Sequence, residues 1–237
     1  MKKFGFIVLA FACFVLFSCE KSMEKVTVER SLEEFDTLTV KNVFEIFLTQ
    51  GTTNSIRLEG AKKIIENIDV RVENNTLILD NLYKGNWVHP KKNKIYVYIT
   101  TNGLTRINSN ETCNIQTTNA LTGNEIGLVM TSKLNEATLE VNCNSFYFWN
   151  NHPCGGKLVL KGNTNELKLW NFALMSVDAT ELTAQISSVE NHSKGDCRVH
   201  CLNKFTYSIL GSGNIYLTGN PPEIIKIEES STGKLIQ

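Results

Sequence analysis

Hydrophobic and polar residues alternate along most of this chain, and the alternating segments recur about every twenty residues from position 146 onward. Four segments carry the clearest repeat: FYFWNN (146–151), LKLWNF (167–172), SSVENH (187–192) and YSILGS (207–212). The third position of each segment is apolar, in the order Phe148, Leu169, Val189 and Ile209. A repeat of this length with strand-like alternation is typical of a β-solenoid, in which each coil buries its apolar side against the next coil.

Each repeat also contains a second alternating stretch, so we expect two strands per coil. These stretches are 138–141, 157–160, 176–179, 197–199 and 214–217. Within them Leu158, Val177 and Cys197 are 19 and 20 residues apart and should stack inside the solenoid. Turn-forming glycine, asparagine and proline cluster between the strands. The sequence therefore predicts an all-β protein with a right-handed β-helix, or solenoid, of about 20-residue coils over 102–237.

A β-rich N-terminal half, residues 26–101, precedes this solenoid, and 26–237 is expected to form one continuous unit. Alternation predicts strands at 35–40, 43–48, 55–60 and 94–100, and a hairpin over 69–79 that turns at Asn74-Asn75. Residues 61–67 (AKKIIEN) predict a helix of one or two turns. Residues 81–93 are predicted to form a loop. Trp87 and His89 in this loop could bind a ligand, but we favour the alternative in which Trp87 folds back and covers the sheet edge.

The first residues predict export and a lipid anchor. Residues 1–18 combine two lysines with an apolar run from Phe4 to Phe17, which is the pattern of a secretory signal peptide. Its end, Leu16 to Cys19, resembles the lipobox of bacterial lipoproteins, so Cys19 is the predicted lipidation site and 19–25 a short leash. The alternative, a signal-anchor helix, is disfavoured because the apolar run is short for a bilayer and polar residues follow at once. We expect the membrane to be a partner through this N-terminal lipid, in a cell-envelope protein.

The charge balance disfavours nucleic acid as a partner. The chain has 24 basic and 24 acidic residues, and removing the leader with its two lysines leaves 22 basic residues, for a net charge of −2. Binding to nucleic acid requires an excess of lysine and arginine.

Cysteine usage favours buried thiols over disulfides or a metal site. Beyond Cys19 an odd number of cysteines remains, at 113, 143, 154, 197 and 201, so they cannot all pair within the chain. Four of them, Cys113, Cys143, Cys197 and Cys201, fall in register with inward apolar neighbours, and Cys143, Cys197 and Cys201 are predicted to be buried thiols. A free cysteine in such a position behaves as a small hydrophobic residue. Cys197 and Cys201 flank His200, but alternation along a strand directs His200 to the opposite face, so no metal site is expected.

A candidate binding surface follows from the same alternation. If Phe148 and Leu169 face inward, then Trp149 and Trp170 face outward, one above the other, with Glu190 and Leu210 continuing the column. Exposed Trp149, Trp170 and Leu210, flanked by Asn150 and Asn171, would suit a glycan or a protein ligand. Two alternatives stay open: the strand bends so that both tryptophans form a corner core, or the asparagines hydrogen-bond from coil to coil.

The chain resembles a family of Bacteroidota proteins described as "putative auto-transporter adhesin, head GIN domain". The resemblance rests on FDTLTVKNVFEIFLTQG (35–51), NNTLILD (74–80) and GSGNIYLTGNPPEI (211–224), behind the lipobox. It covers 26 to the C-terminus, although the Ser-Gly-Ser-Gly turn typical of the family is kept clearly only once, at 211–213. The resemblance implies an adhesin-like, outer-membrane lipoprotein with no catalytic residues to carry over, and it leaves the leaflet open.

The competing hypothesis is a carbohydrate-active enzyme, since β-helices include polysaccharide lyases and hydrolases. Such sites need clustered carboxylates. Asp178 and Arg198 should instead pair across neighbouring coils, and Glu181, Glu190 and Asp196 lie at different places around the coil. We therefore expect a binding or structural module with no catalytic residue, cofactor or metal.

Overall fold

The computed structural model describes residues 24–84, 93–151 and 153–237. The predicted lipidation site Cys19 and the loop residues Trp87 and His89 lie outside the described residues. The described chain is a β-solenoid of about 6 turns, which confirms the predicted fold class. No described helix is long and apolar enough to cross a membrane.

The described residues form seventeen strands and one short helix. In chain order they are β1 Lys25–Ser31, β2 Thr37–Val40, β3 Glu45–Gln50, β4 Ser55–Ala61, β5 Ile68–Glu73, β6 Thr76–Asn81, β7 Tyr96–Thr101, β8 Arg106–Ser109, β9 Asn114–Thr117, β10 Leu121–Met130, β11 Asn135–Asn150, β12 Gly155–Asn171, β13 Leu174–Asn191, β14 Cys197–Ile209, β15 Ile215–Thr218, β16 Glu223–Glu229 and β17 Leu235–Ile236, with helix α1 at Lys62–Ile65. The strands and the helix predicted in the N-terminal half are confirmed to within two residues at their ends.

Two parallel stacks of strands form the solenoid. One stack runs β8, β10, then the second halves of β11, β12, β13 and β14, and finally β16. The other runs β9, the first halves of β11 to β14, then β15 and β17. Leu158, Val177 and Cys197 lie in register in this second stack, as predicted, and all three are fully buried.

The N-terminal half extends the same two stacks in an order that the chain does not follow. β2 lies between β6 and β8, and β3 lies between β7 and β9, all in parallel. The coil formed by β6 and β7 therefore lies nearer the N-terminal end of the solenoid than the coil formed by β2 and β3, although β2 and β3 come first in the sequence. Antiparallel strands then close this end: β5 pairs with β6, β4 pairs with β7, and β1 pairs with β4.

The predicted hairpin is present between β5 and β6. Asn74 and Asn75 have φ angles of 49° and 59°. Positive φ at both central residues fits the two-residue hairpin turn that matches the twist of the flanking strands, and asparagine tolerates this conformation better than most residues. The Asn-Asn pair therefore fixes the register of this hairpin.

The apolar column inside the first stack is confirmed for three of its four members. Phe148, Leu169 and Val189 are aligned and at most 1% exposed. The fourth assignment is wrong, because Val189 pairs with Tyr207 rather than Ile209. The pairing register of β13 with β14 shifts after Ala179 and again after Ala184, which shortens this coil by two residues. The spacing of the repeats in the sequence does not reveal such a bulge.

The cysteines beyond residue 24 are free thiols. Cys113, Cys154, Cys197 and Cys201 are buried, which confirms the inward placement predicted for Cys113, Cys197 and Cys201. Cys143, which was also expected to be buried, is only half-buried. Burial raises the pKa of Cys113 to about 11 and that of Cys197 to about 12. These thiols therefore remain protonated and unreactive in the folded protein.

We expect native alkylation with iodoacetamide to modify Cys143 and to leave Cys197 and Cys201 unmodified until denaturant is added. In the unfolded chain the thiols return to the ordinary cysteine pKa of 9.0, below their folded values. The unfolded state then binds fewer protons above that pH, so the free energy of unfolding should fall as the pH rises from about 9 towards 12. Peptide mass spectrometry identifies which cysteines are alkylated. Rapid native modification of Cys197 would contradict the buried placement.

Candidate functional site

The aromatic strip, as we call Tyr147, Trp149 and Trp170, lies on the outer face of the first stack of strands. Trp149 pairs directly with Trp170 in the next coil, and the residues preceding them, Phe148 and Leu169, are buried inside. Trp149 is 38% exposed and Trp170 is half-buried. The two tryptophans thus face outward on adjacent rungs and do not form a corner core.

A glycine allows the tyrosine of the strip to lie flat across the neighbouring coil. Gly127 pairs with Tyr147, and a Cβ atom at position 127 would be 1.9 Å from the tyrosine ring. Any side chain there would lift the ring off the sheet. Val129 pairs with Trp149 on the same outer face and is only 8% exposed, so the strip continues over a covered aliphatic residue.

The asparagines next to the tryptophans are buried, which corrects their assignment to the binding surface. Asn150 and Asn171 are 0% exposed. The Asn150 amide donates to the carbonyl oxygen of Phe172 at 3.0 Å and its oxygen accepts from the Phe172 N–H at 2.7 Å. The Asn171 amide donates to the oxygen of Asn191 at 3.2 Å. These side chains link one coil to the next, which is the alternative interpretation of the sequence.

Asn150 also positions an aromatic pair where the coil turns. The Phe172 ring stacks on His192, with ring centroids 4.3 Å apart and an angle of 11° between the planes. Nε2 of His192 lies 2.5 Å from Oε1 of Glu190, which pairs with Trp170 in the sheet. Glu190, the polar residue beside the strip, is therefore held by His192, whose ring stacks on Phe172.

Leu210 does not belong to the surface column. Because of the register shift, Glu190 pairs with Ser208, and Leu210 follows the end of β14. Its N–H donates to the carbonyl oxygen of Asn191 at 2.8 Å. Its assignment from the repeat spacing is therefore wrong, and the outer column past the tryptophans is polar.

The acidic residue Asp178, considered for catalysis, and the possible metal ligands lie among the described residues. No group of three or more His, Cys, Asp or Glu side chains in this part of the chain is arranged to hold a metal ion. Asp178 pairs with Arg198 in the sheet and lies 3.8 Å from Nζ of Lys157. Partial burial opposes its ionisation, but hydrogen bonds from Thr180 and the two cationic neighbours outweigh this and lower the pKa of Asp178. A carboxylate held ionised in this way lacks the raised pKa of a general acid.

Comparisons with known proteins agree with this architecture. The model of the family "Putative auto-transporter adhesin, head GIN domain" matches residues 34–221, and the chain belongs to this family. A putative adhesin from Bacteroides fragilis has a similar crystal structure, with a TM-score of 0.79, 18% identity, and coverage of 90% of this chain and 97% of that one. No curated protein matches the chain significantly.

Two further crystal structures have the same fold at lower similarity. A putative lipid binding protein from Parabacteroides distasonis gives a TM-score of 0.63 at 13% identity, and a putative adhesin from Parabacteroides merdae gives 0.60 at 13%. Each match covers 90% of this chain and 97% of the other. At these identities the likeness concerns the fold alone.

Sequence reasoning missed one member of the strip. The repeat pattern was sufficient to place Tyr147 on the outer face, because it lies two residues before Trp149 in the same strand. The clue is Gly127, which lies 20 residues earlier and leaves space for a ring from the next coil. A glycine one repeat before an aromatic residue indicates this packing, in which the ring covers the bare backbone.

Proposed function

We propose that this protein is a non-catalytic, adhesin-like lipoprotein of the cell envelope that captures glycans on the aromatic strip. The observation that carries this proposal is the pair of outward tryptophans on adjacent rungs of a rigid solenoid. Aromatic faces bind the apolar faces of sugar rings, and surface positions that expose such rings side by side are uncommon without a partner.

The dimensions of the strip suit a short saccharide. Neighbouring strands lie about 4.8 Å apart, so the rungs carrying Val129, Trp149 and Trp170 span ~10 Å, comparable to two linked pyranose rings. The backbone of each rung is fixed by pairing on both sides, so no rearrangement of the main chain is needed before a ligand binds. Little conformational entropy is then lost on binding.

Polar side chains beside the strip supply hydrogen bonds for sugar hydroxyls. Glu190 lies next to Trp170, and Lys168 lies next to Tyr147. Nζ of Lys168 is 2.7 Å from Oε2 of Glu166, so its position is restrained. This mixture of flat apolar rings and flanking charges favours a saccharide over a purely apolar protein side chain, because sugar hydroxyls can hydrogen-bond to the charged groups while the ring face packs on the aromatic side chains.

A glycan array tests the proposal, with the purified chain compared against Trp149→Ala and Trp170→Ala. Leu174→Ala is the matched control, because Leu174 is a 61% exposed apolar residue outside the strip. We expect the wild type and the Leu174 variant to capture the same glycans and both tryptophan variants to lose them. Capture of no glycan by the wild type, or unchanged capture by both tryptophan variants, would refute the proposal.

Lipidation at Cys19 would hold this module at the outer membrane. The support is the lipobox-like segment ending at Cys19, since several acyl chains on one residue give a stable anchor where a single chain gives a marginal one. We expect Cys19→Ala to abolish incorporation of labelled palmitate and to release the protein from membranes. Palmitate labelling that persists in this variant would show that the anchor lies elsewhere.

A further inference from the structure

Strand β1 presents a free sheet edge at the N-terminal end of the solenoid. It pairs with β4 on one side, and its backbone has no register with any other described strand. Six of its seven residues are exposed and Val26 is half-buried, so the outer face of the strand and its free edge are open to solvent. An edge of this kind is a template for pairing with a further strand.

The hydrogen bonds to β4 establish which backbone groups face the free edge. The carbonyl oxygen of Glu24 accepts from Lys62, and the N–H of Leu32 donates to Asn54, so even-numbered residues face β4. In an antiparallel ladder the facing direction alternates. The N–H and C=O groups of Lys25, Thr27 and Glu29 therefore face the open edge.

We propose that β1 pairs with β1 of a second copy of this chain, antiparallel, about a two-fold axis at Thr27. In this register Thr27 lies opposite the partner's Thr27, and Lys25 lies opposite the partner's Glu29. These are odd-numbered residues, so they form the hydrogen-bonded pairs that the free edge can make. The contact is self-complementary, as a two-fold interface must be.

Charge complementarity supports this register. Each two-fold contact places Lys25 opposite Glu29 twice, and Glu24 opposite Arg30 twice. Within the described residues Lys25, Glu29 and Arg30 have no ion-pair partner, and Glu24 contacts Lys62 at 3.4 Å between exposed side chains. Shifting the axis to Val28 keeps the same backbone groups in use but places Thr27 opposite Glu29 and Val26 opposite Arg30, which loses all four charge pairs.

The apolar face of β1 gains cover in the same arrangement. Val26 and Val28 line an open cavity of about 440 Å³ together with Ile65 of α1 and Ile68 of β5. Val28 is 38% exposed. The register at Thr27 places each Val26 opposite the partner's Val28, so the half-buried Val26 and the exposed Val28 of each copy pack across the axis.

Disulfide trapping in membranes containing the full chain tests the register. Opposed residues of a hydrogen-bonded antiparallel pair have Cα atoms about 5.5 Å apart, within the range of a disulfide. Thr27→Cys should therefore form a covalent dimer under mild oxidation. Ser31→Cys is the matched control on the same strand and edge, but its copies would be ~27 Å apart and should give no more dimer than the wild type.

Charge exchange tests the same register through side-chain pairing rather than through the distance between two thiols. In the Thr27→Cys background, Lys25→Glu or Glu29→Lys alone places like charges opposite each other and should reduce the dimer band. Combining both changes restores opposite charges and should restore the band. Equal cross-linking at 27 and 31, no cross-linking at 27, or no rescue by the double exchange would overturn the proposal.

Discussion

Truncating Phe148 to alanine is expected to lower the free energy of unfolding by about 3–5 kcal/mol, whereas the same change at Trp149 should cost only about 1 kcal/mol. The two residues are consecutive, so the local strand is the same. Phe148 is fully buried inside the solenoid, where its loss leaves a cavity. Trp149 is on the outer face, where its loss removes cross-strand contacts but creates no enclosed void.

Urea denaturation followed by circular dichroism measures this difference. Trp170→Ala should resemble Trp149→Ala more closely than Phe148→Ala, with a somewhat larger loss because Trp170 is less exposed. A loss of several kcal/mol for Trp149→Ala, equal to that for Phe148→Ala, would show that the tryptophan belongs to the core.

Replacing Gly213 with alanine is expected to lower the free energy of unfolding by about 3 kcal/mol or more, at the upper end of overpacking effects. A Cβ atom at position 213 would be 2.0 Å from the carbonyl oxygen of Gly195 in the coil before. Gly233 repeats this contact one coil later, 2.3 Å from the carbonyl oxygen of Gly213. Backbone atoms form these contacts, so no side chain can move aside to relieve them.

Gly123→Ala is the matched control for this stack of glycines. Gly123 is exposed in β10, and the nearest atom to a Cβ there would be 3.7 Å away, an ordinary contact. Thermal melts should therefore give a large decrease in Tm for Gly213→Ala and little change for Gly123→Ala. Equal melting temperatures for Gly213→Ala and the wild type would show that the coils are further apart at this corner.

The stacked coils could be predicted because their signal is local and periodic. Phe148, Leu169 and Val189 mark the interior at regular spacing, and the glycines of the 211–213 turn mark the corner. The order in which the strands of the N-terminal half pair could not be predicted. Parallel pairing of β2 with β6 and β8 joins segments 39 and 69 residues apart, and each strand alone has only the alternation that any half-buried strand has.

The surface was only partly predictable for a related reason. Alternation within one strand offered the outward placement of Trp149 and Trp170 but left the corner-core alternative open, and the structure has both side chains on the outer face. Alternation could not place Asn150 and Asn171, since a buried asparagine at the end of a strand depends on partners in the next coil, Phe172 and Asn191. Leu210 was misplaced because a bulge in β13 changes the register without changing the composition.

The most direct test of the binding strip is the affinity of Trp149→Ala for a glycan that the wild type captures, measured by isothermal titration calorimetry. The loss of one aromatic face should weaken binding about tenfold, equivalent to ~1.4 kcal/mol, while the melting temperature stays close to that of Leu174→Ala. An affinity equal to that of the wild type would show that the glycan binds elsewhere and that the strip is not the site.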